Sequence, residues 1–370
     1  MLEGQKILVA PLNWGLGHAT RCIPLIRALQ VRGARVYLAS DGVALRLLQH
    51  EFPELPAFEL PSYNIQYAAK GSLFKIKMIL DSPKVFGAMA KERRAVEKLI
   101  EENEINGLIS DNRMGALSRS IPSVFISHQL NVLSGSTTWV SSKMHQQIIQ
   151  KFNACWVPDF GQEPNLTGRL GHLKNPRFPI HYIGPLSRFE REELPKKYPL
   201  MVLLSGPEPQ RTLLEKKLLK ELRSFAGNVL FVQGKIEDEQ KREVIQCEEG
   251  QIELVNFMQS QELETALNAS ELVLSRSGYT TVMDLAKLGK KAFFIPTPGQ
   301  YEQVYLAERL EAQNWVPYCR QEEFSLVQLE RVSSFKGFTE LNTQVDFDSI
   351  FSVFSRVKEN SEPTSSSLST

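Results

Sequence analysis

One stretch, residues 272–303, most constrains how this chain can fold. It begins with a short apolar run, breaks at the glycine-containing turn 275–278 and resumes with helical spacing over 280–288. A second apolar run follows and is closed by two prolines. Strand, turn, helix and strand in this order form a βαβ unit, whose strands must be parallel because the connection crosses over. The stretch therefore predicts an α/β protein with a parallel sheet.

The turn of this unit lies where open parallel sheets bind ligands, at the carboxyl ends of the strands. The helix start offers unpaired N–H groups and the positive end of the helix dipole. Candidates for holding a phosphate there are Ser277, Gly278, Thr280 and Thr281. Asp284 lies about 9 Å further along the helix at ~1.5 Å per residue, where a carboxylate can meet a ribose. The alternative is an ordinary helix cap, and the rest of the chain has to decide between a cap and a phosphate site.

The length and charge of the chain exclude several classes. Its 370 residues are enough for two domains with separate cores. With 43 basic and 42 acidic residues it lacks the basic excess of a nucleic-acid-binding protein. Its 4 cysteines have neither zinc-ligand nor disulfide spacing, so we expect no metal and a reducing compartment. No apolar run approaches the ~20 residues of a spanning helix, and no signal peptide is recognised. We expect a cytoplasmic protein.

A second glycine-rich turn, NWGLGH at 13–18, follows the N-terminal strand 6–12 and precedes a helix at about 19–31. It is not a dinucleotide fingerprint, because Thr20 stands where the third glycine is needed. Gly15 and Gly17 allow a ligand to approach the backbone closely. The turn therefore predicts a second ligand-facing rim on a second parallel sheet.

His18 lies at the start of this helix and is either a packing histidine or a general base. The positive helix end lowers the pKa of an imidazole and keeps it able to accept a proton, which favours the base. Asp111 follows another predicted strand, 107–110, so both side chains emerge at the same sheet edge. A carboxylate that binds the far ring N–H fixes the tautomer of such a base. We predict an Asp111–His18 dyad, with a helix N-cap as the alternative role of Asp111.

The two halves of the chain are both alternations of strand and helix, so the predicted fold class is α/β with two Rossmann-like domains facing across a cleft. A charged, proline-containing segment suits a linker between them. The predicted units are an N-terminal domain (1–186), a linker (187–199), a C-terminal domain (200–345), a helix that returns to the first domain (346–357) and a disordered tail (358–370). Three glycine-containing turns are expected at the cleft, namely 13–18, 205–211 and 275–281.

Residues 63–80 mix aromatic and aliphatic side chains with Lys70, Lys75 and Lys77. A core helix with lysines on its wet side is the preferred interpretation. The alternative is a segment that lines an acceptor groove or contacts an anionic membrane surface. That alternative would place the protein peripherally at the inner membrane face.

GLGHATR near the N-terminus, and SRSGYTTVMDLAKLGKKAFFIP followed by GQYEQ, resemble glycosyltransferases of the GT-B fold. The pattern is similar to the N-acetylglucosaminyltransferases that form lipid II and to predicted bacterial transferases with an N-terminal GLGHATR. The resemblance covers nearly the whole chain. It implies a UDP-sugar donor as co-substrate, no cofactor, a hydroxyl acceptor of unknown identity and a role in cell-envelope glycan synthesis. The transferred sugar would be an N-acetylhexosamine or a hexose.

The resemblance also implies roles for single residues. It places His18 near the reacting centre, in an acceptor-side loop that comprises Asn13, Gly15, Gly17 and Arg21. Arg188 and the backbone of Ser205 and Gly206 would meet the diphosphate, and Phe257 and Met258 would read the uracil edge. The remaining donor-binding residues would be Arg276, Ser277, Gly278, Thr280, Asp284, Gln300 and Gln303. Asp284 replaces the usual glutamate on the ribose, and Pro207 and Pro209 remove N–H donors from the diphosphate loop.

Inverting, metal-independent transfer is the function that these residues predict, with His18 taking the acceptor proton. GLGHATRCIPL also resembles the UDP-sugar hydrolase of pseudaminic acid synthesis, which uses water as the acceptor. A protein that binds nucleotide-sugars without turnover is the second alternative. The motif pattern of non-hydrolysing epimerases is not found.

Overall fold

The computed structural model describes residues 2–63, 82–133, 135–235, 237, 239–339, 341 and 343–355. Its first domain is built on a seven-stranded parallel sheet, in the order β3-β2-β1-β4-β5-β6-β7. The strands are β1 (Lys6–Pro11), β2 (Arg35–Ser40), β3 (Ala57–Glu59), β4 (Gly107–Asp111), β5 (Ser123–Ile126), β6 (Ala154–Val157) and β7 (Ile180–Tyr182). Its helices are α1 (Gly17–Val31), α2 (Gly42–Glu51), α3 (Ser82–Asn103) and α4 (Thr138–Ile149).

The second domain has a six-stranded sheet in the order β10-β11-β9-β8-β12-β13. These strands are β8 (Tyr198–Leu203), β9 (Gly227–Val232), β10 (Arg242–Cys247), β11 (Gly250–Val255), β12 (Ser270–Ser275) and β13 (Lys291–Phe294). Its helices are α5 (Gln210–Glu221), α6 (Ser260–Asn268), α7 (Tyr279–Lys287) and α8 (Tyr301–Ala312), and the chain then continues to α9 (Phe347–Ser355). The predicted arrangement of two α/β domains, each with its own sheet, is confirmed.

The central strands of the first sheet are buried along their length. Strand β4 is buried at every position, and β1 at every position but its first, because helices cover both faces of a parallel sheet. Their register pairs Pro11 with Asp111, and Asp111 with Ile126. The segments that leave β1, β4 and β5 therefore start side by side at one edge, and the functional side chains come from them.

The stretch around residues 272–303 folds as a parallel βαβ unit, with Val273 paired to Ala292. Between the two strands, α7 turns Val282, Leu285 and Ala286 inward. The start of this helix lies at the carboxyl edge of β12, as the apolar pattern predicts.

Helix α9 lies on the first domain although it ends the described chain. Phe351 and Phe354 are buried against Trp156 of β6, with ring centroids 6.1 and 6.0 Å away. Asp348 pairs with Arg32, which follows α1, at 2.6 Å. The segment is strongly apolar, and the first domain supplies the surface that buries it.

Three elements of the second domain depart from the pattern of parallel strands and α-helices. Strand β10 pairs antiparallel with β11 at the sheet edge, and its mixture of charged and apolar residues gives no apolar run to recognise. The segment Leu326–Ser334 is a 3₁₀ helix, and Tyr318 forms an isolated bridge with Phe294. The interpretations given to 64–80 and to the tail at 358–370 lie outside the described residues. In the part of the chain that the structure describes, no helix has the length and hydropathy to cross a bilayer.

Candidate active site

His18 and Asp111 meet at the edge formed by β1 and β4. The Nδ1 atom of His18 lies 2.8 Å from Oδ1 of Asp111. Asp111 is fully buried, and the His18 side chain is 13% exposed. Helix α1 begins at Gly17, about two residues earlier than its apolar spacing predicts, so His18 lies in its first turn. The predicted pairing of these two side chains is present in the structure.

Arg21 binds the same carboxylate from the next turn of α1. Its Nε and Nη2 atoms donate to the two oxygens of Asp111, and both groups are almost completely buried. This fork geometry is the strong bidentate form of an arginine–carboxylate pair. The expectation that Arg21 lines the acceptor side is therefore wrong, because its guanidinium is turned into the protein behind His18.

The position of His18 between two charged partners restricts its tautomer. Its Nδ1 atom is 2.8 Å from Asp111 Oδ1 and also 2.8 Å from Nη2 of Arg21. Guanidinium groups only donate and an ionised carboxylate only accepts, so Nδ1 can satisfy one neighbour at a time. A proton on Nδ1 satisfies Asp111 and leaves Nε2 as the acceptor. Within the described residues, no hydrogen bond engages Nε2 of His18.

Burial and charge both prepare this site for accepting a proton. Burial, followed by the nearby charge of Arg21, lowers the pKa of His18, although Asp111 opposes the shift. Burial alone would raise the pKa of Asp111, but Arg21 and His18 hold it at about 2. At neutral pH the pair is therefore a neutral imidazole beside an ionised carboxylate, which is the state that a general base requires.

A second histidine continues the network into the other domain. Nη1 of Arg21 lies 3.1 Å from Nδ1 of His128, and Nε2 of His128 lies 2.8 Å from Oε1 of Glu302. Gln129 donates to the other oxygen of Glu302. The His128 ring also stacks on Tyr279, with centroids 4.2 Å apart. Sequence reasoning assigned no role to His128, although it leaves β5 at the same edge at which Asp111 ends β4.

The starts of α1 and α7 face each other across the domain boundary. A Cβ added to Gly17 would lie 2.5 Å from Oγ1 of Thr280, so only glycine permits this approach. A Cβ added to Gly15 would meet nothing within 4 Å, so that position stays open to a ligand. Neither helix has a side-chain cap or an acidic residue in its first turn. Two positive helix ends therefore converge on one place, which suits an anion.

Five of the residues predicted for the donor lie around the start of α7. Ser277 donates to the carbonyl of Gln303 at 2.8 Å, and the Gln303 side chain accepts from the Thr297 backbone at 2.8 Å. These bonds tie the starts of α7 and α8 together. Residues Gly278, Thr280 and Gln300 are partly exposed at the same edge.

The loop after β8 adds a further turn at this edge. Ser205 and Gly206 are exposed, and a Cβ placed on Gly206 would be 3.8 Å from Oγ1 of Thr297. That hydroxyl oxygen is buried and, among the described residues, has no hydrogen-bond partner. The loop and Thr297 thus leave polar groups available beside the helix starts.

The chain is similar in sequence to known glycosyltransferases. Residues 209–334 match the Glycosyltransferase family 28 C-terminal domain. An uncharacterized glycosyltransferase of Methanosarcina mazei is 24% identical over 343 residues, which cover 84% of each chain. The UDP-N-acetylglucosamine--N-acetylmuramyl-(pentapeptide) pyrophosphoryl-undecaprenol N-acetylglucosamine transferase of Haemophilus ducreyi is 22% identical, covering 82% of this chain and 81% of the relative. This chain is a glycosyltransferase.

Solved structures of low sequence identity share the fold of this glycosyltransferase. MurG of Acinetobacter baumannii superposes with a TM-score of 0.60 at 13% identity, over 95% of this chain and 99% of that one. The calicheamicin glycosyltransferase CalG4 gives 0.61 at 13% identity, over 96% and 99%. Both are GT-B proteins, so the two sheets and the cleft between them are the shared part.

Arg276 does not serve this glycosyltransferase as a free cation for the donor. It is buried, and its guanidinium donates to the carbonyls of Ile295, Pro296 and Gln210 and to the Gln321 side chain, at 2.8 to 3.0 Å. Burial lowers its pKa to about 10. The donor-binding prediction for Arg276 is therefore corrected to a structural role, in which it fastens the chain after β13.

Two other predicted contacts are used within the protein. The carbonyl of Phe257 accepts from Gln240 at 2.8 Å, and its N–H donates to Asn256 at 3.0 Å, so both of its backbone groups are already bound. The amide of Asn13 donates to Asp41 at 3.1 Å and accepts from the Ala44 N–H at 3.3 Å. These two bonds join the predicted acceptor-side loop to the start of α2.

Asp284 lies further along α7 than the residues predicted to contact phosphate, and its side chain faces the segment between the two domains. Its Oδ1 accepts from the Ser187 hydroxyl at 2.6 Å, and burial raises its pKa to about 6. Arg188 is close enough to Asp284 to oppose that rise, and its own pKa is lowered by burial. The Nε atom of Arg188 is buried and lacks a hydrogen-bond partner among the described residues.

Metal ligands were not predicted, and the described residues contain no group of three or more His, Cys, Asp or Glu that could hold an ion. Cys22 is buried beside the dyad, with Sγ 3.7 Å from Oδ2 of Asp111. Burial, reinforced by Asp111, raises the pKa of this thiol well above its usual value. Cys22 therefore remains a neutral donor to the carboxylate.

Proposed function

We propose that this glycosyltransferase moves an N-acetylhexosamine or a hexose from a UDP-sugar to a hydroxyl acceptor, with inversion and without a metal ion. The observation that carries the proposal is that His18 follows Gly17, where α1 approaches Thr280 at the uncapped start of α7. The ring of His18 is bound by Asp111. In this proposal the base and the anion site face each other across one cleft.

The step is a single displacement at the anomeric carbon. Nε2 of His18 takes the proton of the acceptor hydroxyl, and the oxygen of that hydroxyl forms a bond to C1 of the donor sugar. The bond from C1 to the diphosphate oxygen breaks, and UDP leaves with the electron pair. Asp111 holds the ring and stabilises the imidazolium that forms.

The second requirement is to stabilise the negative charge that develops on the leaving UDP. The uncapped starts of α1 and α7 come together at Gly17 and Thr280, and the loop at Ser205 and Gly206 has exposed backbone. Arg188 is the cation that we propose for the diphosphate, and its buried Nε has no hydrogen-bond partner among the described residues. These fixed dipoles and one cation can take up charge that a divalent ion would otherwise neutralise, which is why we expect metal independence.

The acceptor is inferred from relatives, and the proposal rests there on their printed names. The Haemophilus ducreyi relative acts on a pyrophosphoryl-undecaprenol-linked acceptor. We propose a cell-envelope hydroxyl acceptor, encountered at the inner membrane face by an otherwise cytoplasmic protein. Residues 63–80 are the proposed contact, of which only Tyr63 is described; its hydroxyl donates to the buried Glu92.

The first experiment identifies the donor. UDP-, GDP- and TDP-sugars are screened for thermal stabilisation, because a ligand that binds only the folded state raises the melting temperature. We expect UDP-N-acetylglucosamine or a UDP-hexose to stabilise most. Stabilisation by GDP-sugars alone would contradict the donor assignment.

The second experiment tests the chemistry with UDP-N-acetylglucosamine as the probe and UDP release as the signal. Release that depends on an envelope lipid extract supports transfer, whereas equal release in water alone supports the hydrolase alternative. Binding without release supports the non-catalytic alternative. EDTA should leave the rate unchanged, and loss of rate that Mg²⁺ restores would contradict metal independence.

A further inference from the structure

Glu302 belongs to the second domain, but both of its carboxylate oxygens are bound by the first. It lies in the first turn of α8, with Oε1 2.8 Å from Nε2 of His128 and Oε2 accepting from Gln129. The side chain of His128 is 10% exposed and that of Glu302 is 27% exposed. The contact therefore forms only when the two domains are together.

Proton positions along this contact follow from its partners. The guanidinium of Arg21 can only donate, so Nδ1 of His128, 3.1 Å from Nη1, must accept. A neutral His128 then carries its proton on Nε2 and donates it to Glu302. The carboxylate thus selects this tautomer, and the other tautomer would turn an N–H towards the guanidinium.

The ring of His128 is also fixed in orientation. It stacks on Tyr279 at 4.2 Å with an interplanar angle of 10°. Tyr279 is the first residue of α7, and its hydroxyl donates to the carbonyl of Pro158 in the first domain. The second domain therefore holds His128 by its edge and by its face, and a rotation of the ring would break both contacts.

Arg21 passes this orientation to the dyad. The same guanidinium that donates to His128 grips both oxygens of Asp111 and lies 2.8 Å from Nδ1 of His18. We infer that Glu302 is a positioning residue, which acts through His128 and Arg21 to set the His18–Asp111 dyad when the cleft closes. The inference rests on the proposed function of that dyad. It implies that the base is correctly set only in the closed enzyme, so that donor hydrolysis is suppressed while the cleft is open.

The direct test observes the histidine rings without any substrate. The chain has 6 histidines, so ¹⁵N-histidine labelling gives a small set of ring signals, and His18→Gln and His128→Gln variants assign the two that matter. Wild type should show His128 protonated on Nε2. Glu302→Gln should shift the ring signals of both His128 and His18. Unchanged His18 signals in Glu302→Gln would overturn the inference.

Glu308→Gln is the matched control, because Glu308 is exposed on the same helix. It should leave every histidine signal in place. If it moves the His18 signals as Glu302→Gln does, the effect belongs to α8 as a whole and the inference is overturned.

Kinetics with the UDP-sugar donor separate positioning from donor binding. Glu302→Gln should lower kcat about tenfold with little change in donor KM, and His128→Gln should do the same. The double variant should be no slower than the slower single one, because both changes interrupt one path. Multiplied losses, or a raised KM with unchanged kcat, would instead assign Glu302 to the donor and overturn the inference.

Failure of the two proposals can be told apart. If His18→Gln retains transfer, the proposed base is wrong whatever Glu302 does. If His18→Gln is inactive while Glu302→Gln matches Glu308→Gln in both rate and ring signals, only the positioning role is overturned.

Discussion

The starts of α1 and α7 are built alike and differ in chemistry. Each follows a parallel strand, contains glycine and lacks a side-chain cap, and the two meet where Gly17 approaches Thr280. The first turns of α1 carry His18 and Arg21, which contact the buried Asp111, whereas the start of α7 presents hydroxyl and backbone groups. In the proposed mechanism the same helix geometry would serve proton transfer on one side and anion binding on the other. The difference would come from the titratable residues at the start of α1.

The sharpest way to break this comparison is to remove the base from the α1 side. His18→Ala should lower the transfer rate about 10²–10⁴-fold, which is the range of a lost general base. UDP affinity should remain within about twofold of wild type, because the proposed nucleotide site lies at α7 and its neighbours. The rate is followed by UDP release and the affinity by thermal shift. A variant that keeps transfer near the wild-type rate would refute the dyad. The control is His50→Ala, because His50 is an exposed residue of α2.

The next largest effect should come from Arg21. Arg21→Met leaves the carboxylate of Asp111 buried without its main partner, which typically costs about 3–5 kcal/mol of folding stability. Because Arg21 lowers the pKa of His18, its loss should raise that pKa and move the acid limb of the rate profile to higher pH.

Denaturant titration measures the stability, and pH–rate profiles measure the shift. Adding Asp111→Asn to Arg21→Met should restore part of the lost stability, since no unpaired charge then remains. A stable single variant with an unmoved acid limb would show that Arg21 does not tune the base.

A smaller effect tests the contact between the two helix starts. Gly17→Ala places a methyl group 2.5 Å from Oγ1 of Thr280 and should cost about 1–3 kcal/mol, as overpacking does. Thr280→Ala in the same chain removes the clashing oxygen and should recover most of the stability. Gly87→Ala, where the added carbon would meet nothing within 4 Å, is the control. Failure of Thr280→Ala to rescue would place the strain elsewhere.

The smallest expected effect concerns Asp284 on the α7 side. Its pKa is raised to about 6, so the carboxylate is ionised above that pH and neutral below it. If it accepts from ribose hydroxyls, UDP affinity should fall about fivefold as the pH drops through 6, since a charged acceptor is worth roughly 1 kcal/mol more than a neutral one. Asp284→Asn should abolish this dependence, as measured by titration calorimetry.

The raised pKa of Asp284 has a second consequence for stability. Since its ionised form is disfavoured in the folded state, folding stability should decrease as the pH rises from its ordinary value towards 6. Asp284→Asn should therefore be more stable than wild type at neutral pH. Equal stability at pH 7 would mean that the burial of this carboxylate carries no cost.

The sequence by itself determined which strand ends carry the candidate functional residues. Apolar runs and glycine turns predicted the parallel βαβ unit at 272–303, and the ends of β1 and β4 predicted that His18 and Asp111 emerge at one edge. Such inferences succeed because a parallel sheet fixes the direction of every strand, so the end of a strand determines the edge at which a side chain appears. The polar edge strand β10 escaped the same reasoning, since it has no apolar run.

Only the tertiary structure decided which polar side chains face the cleft. Arg276 lies within one glycine-containing turn and Arg21 follows another, and both are turned inward, one to backbone carbonyls and the other to Asp111. His128 and Glu302 are 174 residues apart, and no spacing rule joins them. Hydrogen bonds between distant elements depend on how the two domains pack, whereas periodicity reports only the structure of one element at a time. The dyad could thus be predicted from strand ends, while the arginine and the second histidine behind it required the fold.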